Sequence, residues 1–165
     1  MPNAVEAPVA TAQMLVRQPV ARVFEAIVDP MITSRFWFTH GSGPLEAGSR
    51  LTWTWAMYGL STEVVVKELV PQRRVLLEWD GPDNPSLVEF AFEPRDGEPG
   101  HEHTFVRVRN WGFAGDAPRQ VGQAIGSAGG FSFVLAGLKA WLEHGIELNL
   151  IADHDPDAAR AQARK

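Results

Sequence analysis

Between residues 50 and 111 the hydrophobic side chains recur at every second position, in short runs separated by turn-forming segments. In RLTWTWAMYG, residues 50–59, Leu51, Trp53, Trp55 and Met57 alternate with Thr52, Thr54, Ala56 and Tyr58. A period of two marks strands with one buried face, because successive side chains point to opposite sides of the pleat. Similar runs follow at 61–68, 73–79, 87–93 and 103–111. The breaks YG, VPQR, DGPDNP and PRDGEPGH are turn chemistry, and the short ones call for antiparallel neighbours. Such a sheet buries one face, so another layer must cover it.

The period returns to helical spacing over residues 121–151. There Phe131, Leu135, Leu138 and Leu142 share one face, flanked by Val134 and Trp141. The early part, GQAIGSAGG, is poor helix material. Its glycines mark a bend, a frayed first turn or a close backbone approach. Ahead of the sheet block, residues 9–17 read as a first strand. QPVARVFEAIVDP then reads as a helix, with Val20, Val23, Phe24, Ile27 and Val28 on one side and Arg22 and Glu25 on the other. Pro19 suits the first helical position, and Asp29-Pro30 ends the segment. MITSRFWF reads as a second short helix, and residues 40–49 as a glycine-rich loop. The expected class is α+β, with two short helices after the first strand and a six-stranded antiparallel sheet against one long C-terminal helix. Residues 1–8 are expected to be a flexible N-terminus, 9–151 one domain, and 152–165 a polar tail. That tail either adds a helical turn after Asp155-Pro156 or stays disordered.

Composition narrows the function classes. No cysteine is present, which excludes disulfides, thiolate nucleophiles and cysteine-ligated zinc. The net charge of −5 gives no basic footprint for nucleic acid. No apolar run reads as long enough to span a bilayer, and MPNAVEAPVATAQ lacks the features of a signal peptide. The expectation is a cytoplasmic protein with no nucleic-acid partner and no membrane insertion. Six tryptophans and nine phenylalanines against one tyrosine favour broad apolar contact over hydrogen-bonding rings.

The blocks QPVARVFEAIVDP with the following RFW, VVVKELVPQRRVLLEW, SLVEFAFEP, HTFVRVRNWGF and GGFSFVLAGLKAWLEHGIELNL occur in this order over residues 9–150. They resemble the START-like, helix-grip superfamily, also called SRPBCC or birch-pollen-allergen-like. More narrowly they are similar to homologues of the C-terminal domain of the heat-shock-protein-90 ATPase activator, whose bacterial single-domain relatives mostly have no established activity. The resemblance implies a curved sheet wrapped around the C-terminal helix. Many such relatives hold an apolar cavity between helix and sheet. Some bind lipids, steroids or polyketides, a few are cyclases, and some serve chaperones. The separate N-terminal domain with which eukaryotic activators engage the chaperone has no counterpart here, which weighs against a co-chaperone role.

Strand parity supplies an inventory of inward side chains. Leu51, Trp53, Trp55, Val64, Val66, Val75, Leu77, Trp79, Val88, Phe90, Phe92, Val106, Val108 and Asn110 fall on the inner face. Glu63, Glu78, Glu89, Arg107 and Arg109 fall outside, and Glu68 falls inside at a strand end. The inward tryptophans either fill the core or border a cavity. On the second reading a small hydrophobic or amphipathic ligand, lipid-, sterol- or polyketide-like, meets Trp37, Trp53, Trp55, Trp79, Phe90, Asn110, Phe131 and Leu135. Trp37 and Phe38 either rim that cavity or dock the second helix. Asn110 either orients the ligand or bonds backbone near its strand end. Catalysis of the polyketide cyclase or hydratase type and a protein-interaction role are the alternatives, and a homodimer is compatible with either.

No catalytic residue, cofactor or metal is assigned. The HEH of residues 101–103 lacks a third ligand and reads as a solvated turn. Asp155 reads as a helix cap, His144 as a surface residue, and His40 as lying near the cavity mouth without a partner. HGSGPLEAG lacks a P-loop lysine, and no GxSxG elbow occurs.

Overall fold

The alternating block folds as read, into one antiparallel sheet with its apolar positions on a single face. In the computed structural model, residues 6–80 and 83–163 are described. Residues 1–5 of the expected flexible N-terminus lie outside the described residues. So do Gly81 and Pro82 of the DGPDNP turn and residues 164–165 of the tail. The strands are β1 (Ala10–Val16), β2 (His40–Gly41), β3 (Arg50–Trp55), β4 (Leu60–Val70), β5 (Arg74–Trp79), β6 (Ser86–Arg95) and β7 (His103–Trp111). Their order across the sheet is β1-β7-β6-β5-β4-β3-β2. The helices are α1 (Val20–Val28), α2 (Pro30–Thr33), α3 (Ala117–His144), α4 (Leu150–Asp153) and α5 (Pro156–Ala163).

The sheet has seven strands where six were expected. The extra one is the two-residue β2, inside the expected loop, where His40 pairs with Thr54 and Gly41 with Trp53. The Trp-bearing strand also stops earlier than its pattern. Residues Ala56–Tyr58 form a 3-10 turn that Gly59 closes in the left-handed region at φ +61°. Met57 therefore leaves the inner face.

Parity holds along the other strands and fails at Glu68. Leu51, Val64, Val66, Val75, Leu77, Val88, Phe90, Phe92, Val106, Val108 and Asn110 are all buried. A bulge between Val66 and Glu68 inserts one residue, so Glu68 pairs with Leu76 on the outer face. There the Arg74 guanidinium bridges the Glu68 carboxylate and, at 2.7 Å, that of Glu89. The bulge places a carboxylate that strict alternation would have buried onto the wetted side.

Helix α3 covers the inner face through Phe131, Val134, Leu135, Leu138 and Leu142. Asp116 caps its start, its side chain accepting from the Arg119 N–H at 3.0 Å. Gly145 ends it in the left-handed region, seven residues short of the expected end at 151. The glycines of its first half make no close approach. A Cβ added at Gly122, Gly126, Gly129 or Gly130 would meet nothing within 4 Å. At Gly137 the same atom would sit 3.0 Å from the Phe36 Cβ. Gly137 thus packs closely against the α2 turn, whereas the first half of the helix touches the sheet through Ala124 and Ser127 and is open around Gly126 and Gly130.

One expectation about α3 is corrected. It contains an 18-residue window of mean hydropathy 1.4, apolar and long enough to cross a membrane. Its phenylalanine, leucine, isoleucine, valine and alanine carry that mean, while glycine, serine and glutamine interrupt them, so no unbroken apolar run marks the window in the sequence. The same helix is the layer packed against β1, β7 and α1.

Beyond Gly145 the chain returns across the open end of the sheet. The Tyr58 hydroxyl donates to the Ile151 carbonyl, and Arg35 pairs with Glu147 at 3.0 Å. Asp155 caps α5 by accepting from the Ala158 N–H at 3.2 Å.

Candidate functional site

A pocket of about 360 Å3 lies between the first half of α3 and the end of the sheet. It occupies one end of the sheet, where β3, β5 and β7 finish. Trp55 is the last residue of β3 and Trp79 the last of β5, and Asn110 is the penultimate residue of β7. All three line the pocket. Trp37, from the turn after α2, enters from the side, and Phe131 comes down from α3.

Trp37 is the hub of this arrangement. Its ring centroid lies 4.8 Å from that of Trp53, 6.4 Å from Trp55, 6.0 Å from Trp79, 5.8 Å from Phe90 and 5.6 Å from Phe131. The planes of Trp37, Trp55 and Trp79 stand 62–64° from one another, like walls meeting at a corner. Edge-to-face contacts of this kind suit the ring quadrupoles and lock each indole in place. Trp37 is itself 6% exposed, so it docks the α2 region onto the sheet and borders the pocket at once.

A polar network holds the wall together. The Trp79 Nε1–H donates to Ser86 Oγ at 3.1 Å, and Asn110 Nδ2 donates to the same oxygen at 3.0 Å and to the Leu87 carbonyl at 2.8 Å. Ser127 Oγ, on α3, donates to Asn110 Oδ1 at 2.7 Å. Asn110 is 2% exposed, and its amide is satisfied on both sides. It joins β7 to β6 and to α3.

Five of the eight residues named from the sequence line the pocket: Trp37, Trp55, Trp79, Asn110 and Phe131. The other three lie elsewhere. Trp53, Phe90 and Leu135 are at most 1% exposed and sit in the packed core below the pocket, because they fall mid-strand or mid-helix where α3 is in full contact. The sequence reading missed Asp80, Phe113, Gln123, Ser127, Ile151 and His154, which also line it. Asp80 and Phe113 come from turns just past strand ends, and Ile151 and His154 from the returning C-terminal segment, so no strand parity marks them. The legible signals lie on α3, where Ser127 and Val134 stand at helical spacing from Phe131 and line the pocket too.

Titratable groups at the pocket are few. Asp80 and His154 line it. Desolvation pushes the Asp80 carboxyl above its ordinary pKa, although the residue as a whole remains exposed. Its backbone is left-handed at φ +70°, and its N–H donates to Thr62 Oγ1 at 3.0 Å. His154 Nδ1 donates to the Ile151 carbonyl at 2.7 Å. His40, expected near the mouth, is exposed and shares the outer face with Thr54, so it lines none of this. Among the described residues no group of three His, Asp or Glu side chains is placed to hold a metal ion.

The sheet gripping one long helix, with a pocket between them, defines a START-like helix-grip protein. The family model described as activator of Hsp90 ATPase homolog 1-like protein matches residues 17–143, and the chain belongs to that family. Solved structures share the fold. A Staphylococcus saprophyticus protein is 26% identical with a TM-score of 0.69, covering 86% of this chain and 96% of its own. DynU16, from the dynemicin biosynthetic locus, is 23% identical with a TM-score of 0.70, covering 84% of this chain and 48% of its own. The Aha1 dimer from Colwellia psychrerythraea is 17% identical with a TM-score of 0.67, covering 84% and 98%. No curated protein sequence matches the chain.

Proposed function

We propose that this protein binds a small hydrophobic or amphipathic molecule between the first half of α3 and the end of the sheet, in the cytoplasm. The observation that carries the reading is an aromatic-walled pocket beside a helix segment whose glycines leave open space. Gly126 and Gly130 line the pocket and have no neighbour within 4 Å of an added Cβ. A helix selected only for packing would place larger apolar residues there, as α3 does at Phe131, Val134 and Leu138. Rigid indoles suit a wall that stays open, since they offer large contact area with little rotamer entropy to lose. Burial of ligand surface would supply about 25 cal/mol per Å2 before ordering costs.

The test is native mass spectrometry and tryptophan fluorescence against fatty acids, sterols, aromatic polyketides and alkylammonium compounds. The expected result is a one-to-one complex with at least one class and a shift in indole emission. Absence of binding by every class, together with unchanged emission, overturns the reading.

A second reading, an enzyme acting on such a ligand, is favoured by one observation: Asp80 and His154 give the pocket titratable groups. Turnover of a bound ligand by the intact protein, lost in Asp80→Asn, is its test. An interaction role has support in the exposed Val121, Ile125 and Phe133 of α3, and recovery of a chaperone with the intact protein is the corresponding check.

A further inference from the structure

We propose that the pocket is selective for organic cations, an alkylated or quaternary ammonium group carried on an apolar body; this rests on the ligand-binding reading above. Three features argue for that chemistry over a neutral or anionic head group.

The first is what the walls offer. Three indoles with mutually inclined planes border the void, and aromatic faces carry a negative quadrupole potential that attracts cations. The Trp79 ring nitrogen is already committed to Ser86, so that indole presents its π-system and not a donor.

The second is what the walls withhold. Two neutral amides beside the pocket are already hydrogen-bonded within the protein. Asn110 is bonded to Ser86, Leu87 and Ser127. Gln123 Nε2 donates to the Ala114 carbonyl at 2.9 Å, and Gln123 Oε1 accepts from Asn84 at 3.3 Å. A ligand recognised through these two amides would have to break this network, which a cation held by aromatic faces leaves intact. The charged group left over is the Asp80 carboxylate, for which no described cation forms an ion pair.

The third is the sign of the surroundings. Among the described residues neither lysine nor arginine lines the pocket, and His154 is the one titratable base there. An adjoining groove shares Trp55, Trp79, Asp80 and Ile151 and is lined by Tyr58. Burial first, then the carboxylates of Asp155 and Asp153, push the Tyr58 hydroxyl above its ordinary pKa, so negative potential reaches this side.

The experiment uses three naphthalene probes, the first two isosteric, on the intact protein at neutral pH and low salt. They are (2-naphthylmethyl)trimethylammonium, its neutral carbon isostere 2-neopentylnaphthalene, and the anion 2-naphthylacetate. Affinities are read by tryptophan quenching. The expected order is cation first, about tenfold tighter than the neutral isostere, with the anion weakest. Asp80→Asn should shrink the cation's advantage while leaving the neutral probe unchanged; asparagine tolerates the left-handed backbone at this position, so the variant keeps its fold. Trp55→Leu, apolar but without a π-face, should weaken the cation more than the isostere. A neutral probe binding as well as the cation, or an advantage untouched by both variants, overturns the proposal alone. Binding of none of the three in this pocket overturns it, and failure of the apolar panel as well overturns the pocket reading with it.

Discussion

Trp53 packs against Trp37 with ring centroids 4.8 Å apart, yet only Trp37 reaches the pocket surface. Two indoles in contact therefore do different work. Trp53, at 1% exposure and stacked on Phe38, carries core stability. Trp53→Ala should cost about 3–5 kcal/mol, and Trp55→Ala, at a half-buried wall position, distinctly less. Urea denaturation of the two variants checks the order. Equal losses would contradict the assignment of Trp53 to the core and Trp55 to the wall.

The glycines of α3 separate by what surrounds them. Gly126→Ala and Gly130→Ala add a methyl in open space and remove backbone freedom from the unfolded chain, so each should stabilise by about 0.5–1 kcal/mol. Gly137→Ala forces a methyl to 3.0 Å from Phe36 Cβ and should destabilise. Denaturation midpoints read the sign directly.

Tyr58 holds the returning segment through the Ile151 carbonyl, and it is the single tyrosine of the chain. Absorbance titration of tyrosinate thus reports this hydroxyl alone. Its folded pKa is raised, by burial and then by Asp155 and Asp153, so the proton is held more tightly in the folded state. The resulting stabilisation is complete below the unfolded value of about 10 and is lost as pH climbs through the folded value. The midpoint should lie above that of the urea-unfolded protein. Tyr58→Phe should flatten the alkaline limb and speed amide exchange over residues 150–154.

Glu143 ties the end of α3 to the end of β1. Lys139 Nζ donates to Glu143 Oε2 at 2.6 Å and to the Leu15 carbonyl at 3.0 Å, and the Arg17 N–H donates to Glu143 at 3.1 Å. Burial would raise this carboxyl, but the Lys139 and Arg17 hydrogen bonds and the charges of Lys139 and His144 outweigh it and hold the pKa below the usual range. A depressed folded value gives stability that is present above the unfolded pKa of about 4.3 and disappears as pH falls through the folded one. Glu143→Gln should therefore cost about 1–3 kcal/mol at neutral pH. The gap to the native protein should close in acid, as denaturation at pH 7 and below pH 4 would show, both in rough steps of one unit.

Alternation and helical spacing carried most of the fold because each encodes which face of an element is buried. Parity placed Val64, Val75, Val88 and Val106 inside and Arg107 and Arg109 outside without a miss. It failed at Glu68, where one inserted residue flips the face and leaves no mark in composition. It also missed β2, too short to show a period. The site was less legible, since parity gives the face and says nothing of position along the strand. Trp53 and Trp55 share a face, but only the one at the strand end meets the void. Asp80, Phe113 and His154 arrive from turns and a returning segment, where no period exists to read.

The central claim is that the space beside Gly126 and Gly130 is a binding site and not merely loose packing. Titration of native protein and Gly130→Leu with a neutral fluorescent probe such as Nile red, alongside their denaturation midpoints, tests it most directly. The account predicts saturable one-site binding to the native protein, weakened about tenfold or more when leucine fills the space, with the fold intact. Equal affinity in both proteins, or no saturable binding to the native one, would contradict it.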